Sequence, residues 1–448
     1  MIRRRDADMT QGSIAGHLLQ FAVPLTIGLL FQQLYNTVDT MVVGQFVGKE
    51  AQAAVGSTGS IINTVVGFCS GLATGSTVVI SQRFGARDEQ GLSRAVHTSI
   101  VLTFILSIIA TALGMIFIDP MLHFMATPED VMADAHAYLS IYFSGVAGVL
   151  FYNMGSGILR AVGDSRRPLI FLILSALLNT VLDLLFVLGF HMKVEGVAYA
   201  TVLSQVISAL LILFTLLKEH GPYGLRMNRL HMDRESFRQI LRIGMPTAIQ
   251  SAVTSFSNVF VQSYVNEFGS ACMAGNSVYS KVDAFAIIPL QAISMASTTF
   301  VGQNWGAKRK DRTREGVRVA LLMALVSTAV LGAVVFILAP YVVRLFSPDP
   351  EVVDYGVRFI RIVTPFYLVI LIHSILSGAL RGIGDATAPT VIMLSSFVVF
   401  RQIYLATTKW LGFGFIAVAL AYPVGWSLCG ILMTIRYRHS ALFRPNEA

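Results

Sequence analysis

Charged residues are scarce in this chain. They make up 13% of its 448 residues, against 54% hydrophobic, whereas an average soluble protein carries about 25% charged residues. Intrinsic disorder is excluded, because it needs low hydrophobicity and high charge. A soluble enzyme is disfavoured, because so much apolar surface cannot be hidden behind a polar shell. Cysteine is also rare: Cys69, Cys272 and Cys429 are too few for a disulfide framework and too far apart for a thiolate metal site. The chain lacks a His-Glu-x-x-His motif, a dense aspartate cluster for Mg2+, a Gly-x-Ser-x-Gly elbow and a nucleotide-binding loop. A membrane-embedded enzyme is therefore the least favoured function, and no cofactor is expected.

Long uncharged runs are what the chain has in abundance. A bilayer core takes roughly 20 apolar residues per helix. Twelve runs qualify, at about 17–46, 51–80, 92–118, 133–159, 166–190, 194–217, 239–268, 272–303, 314–338, 354–380, 387–409 and 412–437. The short gaps at 47–50 and 191–193 predict tight helical hairpins. The first run is longer than a signal-peptide core, contains Asp39 and has no small-residue cleavage site after it, so it is expected to stay as a span. The net charge of +8 is unevenly spread: 25 of the 33 Lys and Arg fall in segments on one side of the spans and four on the other. By the positive-inside rule both termini face the cytoplasm. The basic balance is an orientation signal with anionic lipid as its neighbour, and no nucleic-acid partner is expected.

The two halves repeat. Arg160-Ala-Val-Gly-Asp-Ser-Arg-Arg-Pro168 recurs as Arg381-Gly-Ile-Gly-Asp-Ala-Thr-Ala-Pro389, an offset of 221 residues. Gln82-Arg-Phe-Gly-Ala86 recurs as Gln303-Asn-Trp-Gly-Ala307 at the same offset, and Pro24 and Asn36 match Pro246 and Asn258 at 222. Six spans per half is an even number, so both halves insert the same way up. The predicted fold is an all-α membrane protein, with twelve transmembrane helices in two six-helix lobes related by a pseudo-two-fold axis along the membrane normal. Residues 1–217 form the first lobe (spans 1–6), 218–238 a cytoplasmic linker, and 239–448 the second lobe (spans 7–12).

With Pro24 in span 1, Asn36-Thr-Val-Asp39-Thr-Met-Val-Val-Gly44 and the paired Arg-x-x-Gly-Asp motifs, the whole chain resembles the multidrug and toxic compound extrusion (MATE) family. The resemblance implies a cation-coupled antiporter exporting organic, often cationic, compounds by alternating access. It implies a functional monomer in the inner membrane of a prokaryote, with small organic substrates and membrane lipids as its partners. The wider superfamily includes flippases for lipid-linked oligosaccharides, which are the alternative function. Asp39, Asn179, Asp183 and Thr201 match the amino-lobe cation site of the branch that includes DNA-damage-inducible protein F. The acid that another branch carries in the middle of span 7 is missing here, where Thr254 and Val261 stand and Glu267 lies only at the outer end.

The residues themselves point to the same place. A carboxylate inside a span costs about 2.5–3.5 kcal/mol on insertion scales, and only Asp39, Asp183 and Asp283 lie well inside predicted spans. At about 1.5 Å per residue, Asp39, Asp183 and Thr201 all lie roughly 10 Å from the outer ends of spans 1, 5 and 6. Asn179 shares a face with Asp183 by i,i+4 spacing, as Asn36 does with Asp39 by i,i+3. These oxygen ligands suit Na+, and the paired carboxylates equally suit H+. Interhelical hydrogen bonding is the structural alternative. Tyr35, Asn36, Tyr138 and Asn153 are candidate substrate contacts in the first lobe. In the second lobe Asp283 and Arg401 are expected to pair across spans 8 and 11, with Lys281 nearby. His373 in span 10 is a titratable candidate. Gly163-Asp164 and Gly384-Asp385 are expected to form tight turns that cap the next helix.

Overall fold

The computed structural model describes residues 8–125 and 127–444, except for the side chains at 38–42, 44–45, 49–50, 52, 57, 60, 256 and 259. No strand occurs among the described residues. Among the described residues fifteen α-helices follow one another: α1 (Ile14–Val42), α2 (Lys49–Gly85), α3 (Glu89–Phe124), α4 (Glu129–Ser144), α5 (Val146–Ala161), α6 (Arg166–Leu184), α7 (Val194–Lys218), α8 (Arg234–Asn266), α9 (Ser270–Gly306), α10 (Lys310–Phe346), α11 (Pro350–Val363), α12 (Tyr367–Gly382), α13 (Thr387–Leu394), α14 (Arg401–Trp410) and α15 (Phe415–Arg438). Three pairs join into single rods. α4 and α5 meet at a 48° bend, a 3-10 turn at Thr364–Phe366 links α11 to α12, and a π-helical turn at Ser395–Phe400 links α13 to α14. The result is twelve rods at the places where the sequence predicts spans.

Ten of the described segments are long and apolar enough to cross a membrane, and the bent α4–α5 pair makes an eleventh. The remaining rod, α8, is the exception because its middle is rich in Gln, Ser, Thr and Asn. The outer surfaces are apolar where lipid would lie. Phe104, Ile108 and Ile116 on α3 are 56–67% exposed, as are Leu322, Val326 and Ile337 on its repeat counterpart α10, at 61–67%. In water such stripes would be an aggregation liability; in a bilayer they are solvated by acyl chains.

Packing gathers the chain into two compact units. The first is built on Ile27–Ala248, and the second on Met9–Thr26 together with the chain from Ile249 onward. The divisions therefore fall inside α1 and α8, each two residues past a proline (Pro24 and Pro246), and not at the linker 218–238. Close backbone approach explains the placing of the first half of α8. A Cβ added at Gly71 of α2 would come within 2.4 Å of Ala248 backbone atoms, and one at Gly75 within 2.5 Å of the Ile240 carbonyl. Small residues spaced four apart let two membrane helices touch backbone to backbone. The lead-in to α8 is also strapped down: Arg83 donates to Glu235 at 2.8 Å, and the Asp233 N–H donates to Thr98 Oγ1 at 3.0 Å.

The second unit holds the lead-in to α1 in the corresponding way. The Met9 N–H donates to Gln303 Oε1 at 3.0 Å, Arg309 donates to the Thr10 carbonyl at 2.8 Å, and Arg312 Nη2 donates to the carbonyls of Met9, Gln11 and Gly12 at 2.9–3.1 Å. The repeated Gly-Asp turns also match. Gly163 and Gly384 adopt φ of 91° and 94°, a region where a side chain is strained. Asp164 Oδ1 accepts from the N–H groups of Arg166 and Arg167 at 3.0 and 3.1 Å, and Asp385 Oδ1 accepts from Ala388 at 3.3 Å. Both aspartates cap the helix that follows, as the sequence predicts.

Candidate functional site

In the first unit a polar seam runs between α6 and α7. Ser175, Asn179 and Asp183 recur every four residues on α6, and Thr201, Ser204 and Ser208 face them from α7. Helical spacing puts each set on one stripe, and an intramembrane stripe of this kind stays out of lipid by pairing with another. All six residues are buried; Asp183 is 0% exposed and Asn179 1%. The Ser175 hydroxyl donates to the Ser204 carbonyl at 3.0 Å, and the Ser204 hydroxyl donates to the Thr201 carbonyl at 2.9 Å.

Asn179 joins the acid to α7. In the amide orientation that satisfies both neighbours, its Nδ2 donates to Asp183 Oδ2 at 3.2 Å and its Oδ1 accepts from the Thr201 N–H at 3.3 Å. Thus three of the four predicted ion ligands, Asn179, Asp183 and Thr201, come together. The fourth, Asp39, lies on the last turn of α1, with its side chain outside the described residues. A π-helical turn, Leu185–Gly189, begins two residues after Asp183; such turns are frequent at functional sites. Carboxylate, amide and hydroxyl oxygens in a buried seam can hold a hard monovalent cation or a proton. Ser175 and Ser204 were not singled out from the sequence, although their i,i+4 and i,i+3 spacing to Asn179 and Thr201 is the same signal.

The candidate substrate contacts are more scattered. Tyr35 is half-buried and Asn36 exposed on α1. Tyr138 is 4% exposed and packs among Val43, Ala51, Val194 and Val197, so its ring belongs to an apolar core. Asn153 is half-buried, and its Nδ2 donates to the Val149 carbonyl one turn back at 2.8 Å.

In the second unit the expected Asp283–Arg401 pair does not form. Arg401 is 4% exposed, and its Nη2 donates to Ser257 Oγ and Asn258 Oδ1, both at 2.9 Å, with the guanidinium 5.4 Å from the Tyr422 ring centroid. Asp283 instead accepts from the Tyr367 hydroxyl at 2.6 Å. The two residues have compatible depths along their helices, but the rotation of α14 aims Arg401 at α8. Lys281 is exposed, with its Nζ 5.6 Å from the Phe346 ring centroid. His373 is 4% exposed and lies edge-on to Phe397 at 5.3 Å between centroids. Glu267 pairs with Lys409 at the end of α8.

The MatE family model matches the chain twice, over residues 24–185 and 246–406, segments that begin 222 residues apart. The chain belongs to the MatE family. The double match places the internal repeat at the offset read from the paired motifs. The probable multidrug resistance protein YpnP of Bacillus subtilis is 30% identical over 431 residues, 96% of each chain. A protein described as an FAD transporter, from Shewanella oneidensis, is 24% identical over 92% of each chain. Among solved structures, an outward-facing multidrug resistance MATE family transporter of the MOP superfamily superposes with a TM-score of 0.91 at 25% identity, covering 98% of this chain and 99% of that one. MatE family transporters have twelve helices in two lobes, and the twelve rods of this chain follow that plan.

Proposed function

We propose that this MatE family protein is an antiporter that exports organic, mostly cationic, compounds in exchange for Na+ or H+. The observation that supports this most is a fully buried carboxylate, Asp183, bonded to an amide that also reaches the next helix. Such a group is costly in a membrane and marks an ion or proton path. The coupling ion, Na+ or H+, is cargo here, and the ligands for it are Asp39, Asn179, Asp183 and Thr201. Loading this centre from outside favours a state with low affinity for the organic substrate, which then leaves outward; coupling requires that the two states differ in ion affinity. Export is proposed to run through a monomer in the inner membrane, both termini in the cytoplasm, where the Lys- and Arg-rich loops lie.

The multidrug relatives support organic compounds as substrates, and their being transporters argues against enzymatic turnover. Ethidium efflux from energised cells tests the proposal. Asp183→Asn and Asp39→Asn should reduce efflux to the level of cells without the protein while both variants remain in the membrane. Wild-type efflux by either variant would refute the proposal.

A further inference from the structure

The second unit has its own intramembrane acid, and that acid is enclosed by aromatic rings. Asp283 lies about 13 residues into the 37-residue helix α9, roughly 20 Å along its axis. Its carboxylate accepts from the Tyr367 hydroxyl of α12 at 2.6 Å, and Tyr279 lies one turn earlier on α9. Behind it the rings form a continuous wall. Tyr279 stacks on Phe359 at 5.6 Å and 12°, and lies 6.2 Å from Tyr422; Tyr422 lies 6.2 Å from Trp426, and Trp426 lies 6.3 Å from Tyr367. Tyr279, Tyr367 and Trp426 are 3–7% exposed, whereas Asp283 and Tyr422 are half-buried. Asp283 and Tyr422 are therefore the less buried members of the cluster.

No Lys or Arg pairs with Asp283 among the described residues, because Arg401 is taken up by Ser257 and Asn258 and Lys281 faces Phe346. An ionisable group kept inside a membrane span with no counter-charge invites a cation. Phenol and indole faces beside it select a large, weakly hydrated cation over a small hard one, which would want more oxygen ligands. The repeat adds an independent observation. Tyr422 and Trp426 stand 221 residues after Thr201 and Gln205, so the second unit places aromatic rings where the first has a hydroxyl and an amide.

We propose that Asp283, with Tyr279, Tyr367, Tyr422 and Trp426, binds the charged centre of a lipophilic organic cation, at a site separate from the small-ion centre around Asp183. This rests on the chain being an exporter of organic cations and assigns the substrate to the second unit. Tetraphenylphosphonium is a suitable probe, because its permanent charge cannot be confused with protonation. Its equilibrium binding is measured on the full-length protein in lipid nanodiscs, with empty nanodiscs as the blank and no ion gradient. Asp283→Asn should weaken binding about tenfold or more, Asp283→Glu should restore most of it, and Tyr422→Ala should weaken it about threefold to tenfold.

In a protein whose only tryptophan is Trp426 (Trp305→Phe, Trp410→Phe), the probe should change the emission with the same midpoint, which reports the location even where a variant folds poorly. Wild-type affinity in Asp283→Asn would overturn the proposal, as would silent Trp426 emission. Because no gradient is involved, those results leave ion-coupled export itself standing; that fails separately, if Asp183→Asn still exports.

Discussion

The two repeats put an acid inside the membrane in different settings. In the first unit Asp183 is wholly buried and linked through Asn179 to α7, with serine and threonine oxygens lining the seam. In the second Asp283 is half-buried, bonded to Tyr367 and backed by aromatic rings. One helical plan, duplicated, therefore surrounds its two acids with different side chains. Oxygen ligands in a closed seam suit a small ion, and ring faces around a half-buried acid suit a bulky one. The turns and caps, by contrast, remained alike in both halves.

Exchanging the repeat counterparts is the strongest way to break this contrast. Thr201→Tyr forces a ring into a position that is 6% exposed and should lower ion-driven export by about a hundredfold or more, a loss of over ~2.7 kcal/mol, read as initial efflux rate. Tyr422→Thr should leave the driven rate intact at saturating substrate and raise the concentration needed for half-maximal rate. Equal losses in both variants would erase the division of labour.

A smaller effect separates the helix contacts of the two halves. Gly71 has backbone 2.4 Å from where its Cβ would stand, but its repeat counterpart, Ala292, already carries one and is 0% exposed. Gly71→Ala should cost about 1–3 kcal/mol by overpacking, seen as a lower melting temperature in detergent, and Ala292→Gly about 0.5–1 kcal/mol. The Gly-Asp turns should behave as equals: Gly163→Ala and Gly384→Ala each place a side chain at positive φ, costing roughly 1–2 kcal/mol. A large difference between these last two would show that the matching turns bear unequal strain.

The smallest effect concerns the loops. Asp88 caps α3 through the Gly91 N–H, and Asp233 caps α8 through Ser236; these bonds hold both carboxyls below the usual aspartate range. A depressed carboxyl contributes stability that is present above its unfolded value of about 3.9 and is lost as pH falls through its lower folded value. Asp88→Asn and Asp233→Asn should each lower stability modestly above about pH 4 and flatten the acid limb of the profile, so that the gap to the wild type closes as pH falls. A thermal-melt series across pH checks this.

Nearly all of the fold was legible in the sequence, because a span announces itself by length and apolarity and a repeat by constant offset. The seam of Asn179, Asp183 and Thr201 was legible for a local reason, since i,i+4 spacing on one helix fixes a shared face. The partner of Asp283 was not. Depth along a helix can be counted, but which neighbour a side chain meets depends on helix rotation, and that is set by distant packing. Tyr138 shows the same limit: an aromatic facing a cavity and one packed among apolar side chains, as Tyr138 is, have the same spacing. The division of α1 and α8 between units left only a faint trace, in Gly71 and Gly75 spaced four apart.

Gradient-driven uptake into proteoliposomes tests the central claim most directly. Purified wild-type and Asp183→Asn proteins are reconstituted, a Na+ or pH gradient is imposed separately, and accumulation of tetraphenylphosphonium is followed. The wild type should accumulate the cation against its concentration gradient under at least one of the two driving ions, and Asp183→Asn under neither. Accumulation by Asp183→Asn at the wild-type rate, or wild-type uptake indifferent to both gradients, would contradict the account.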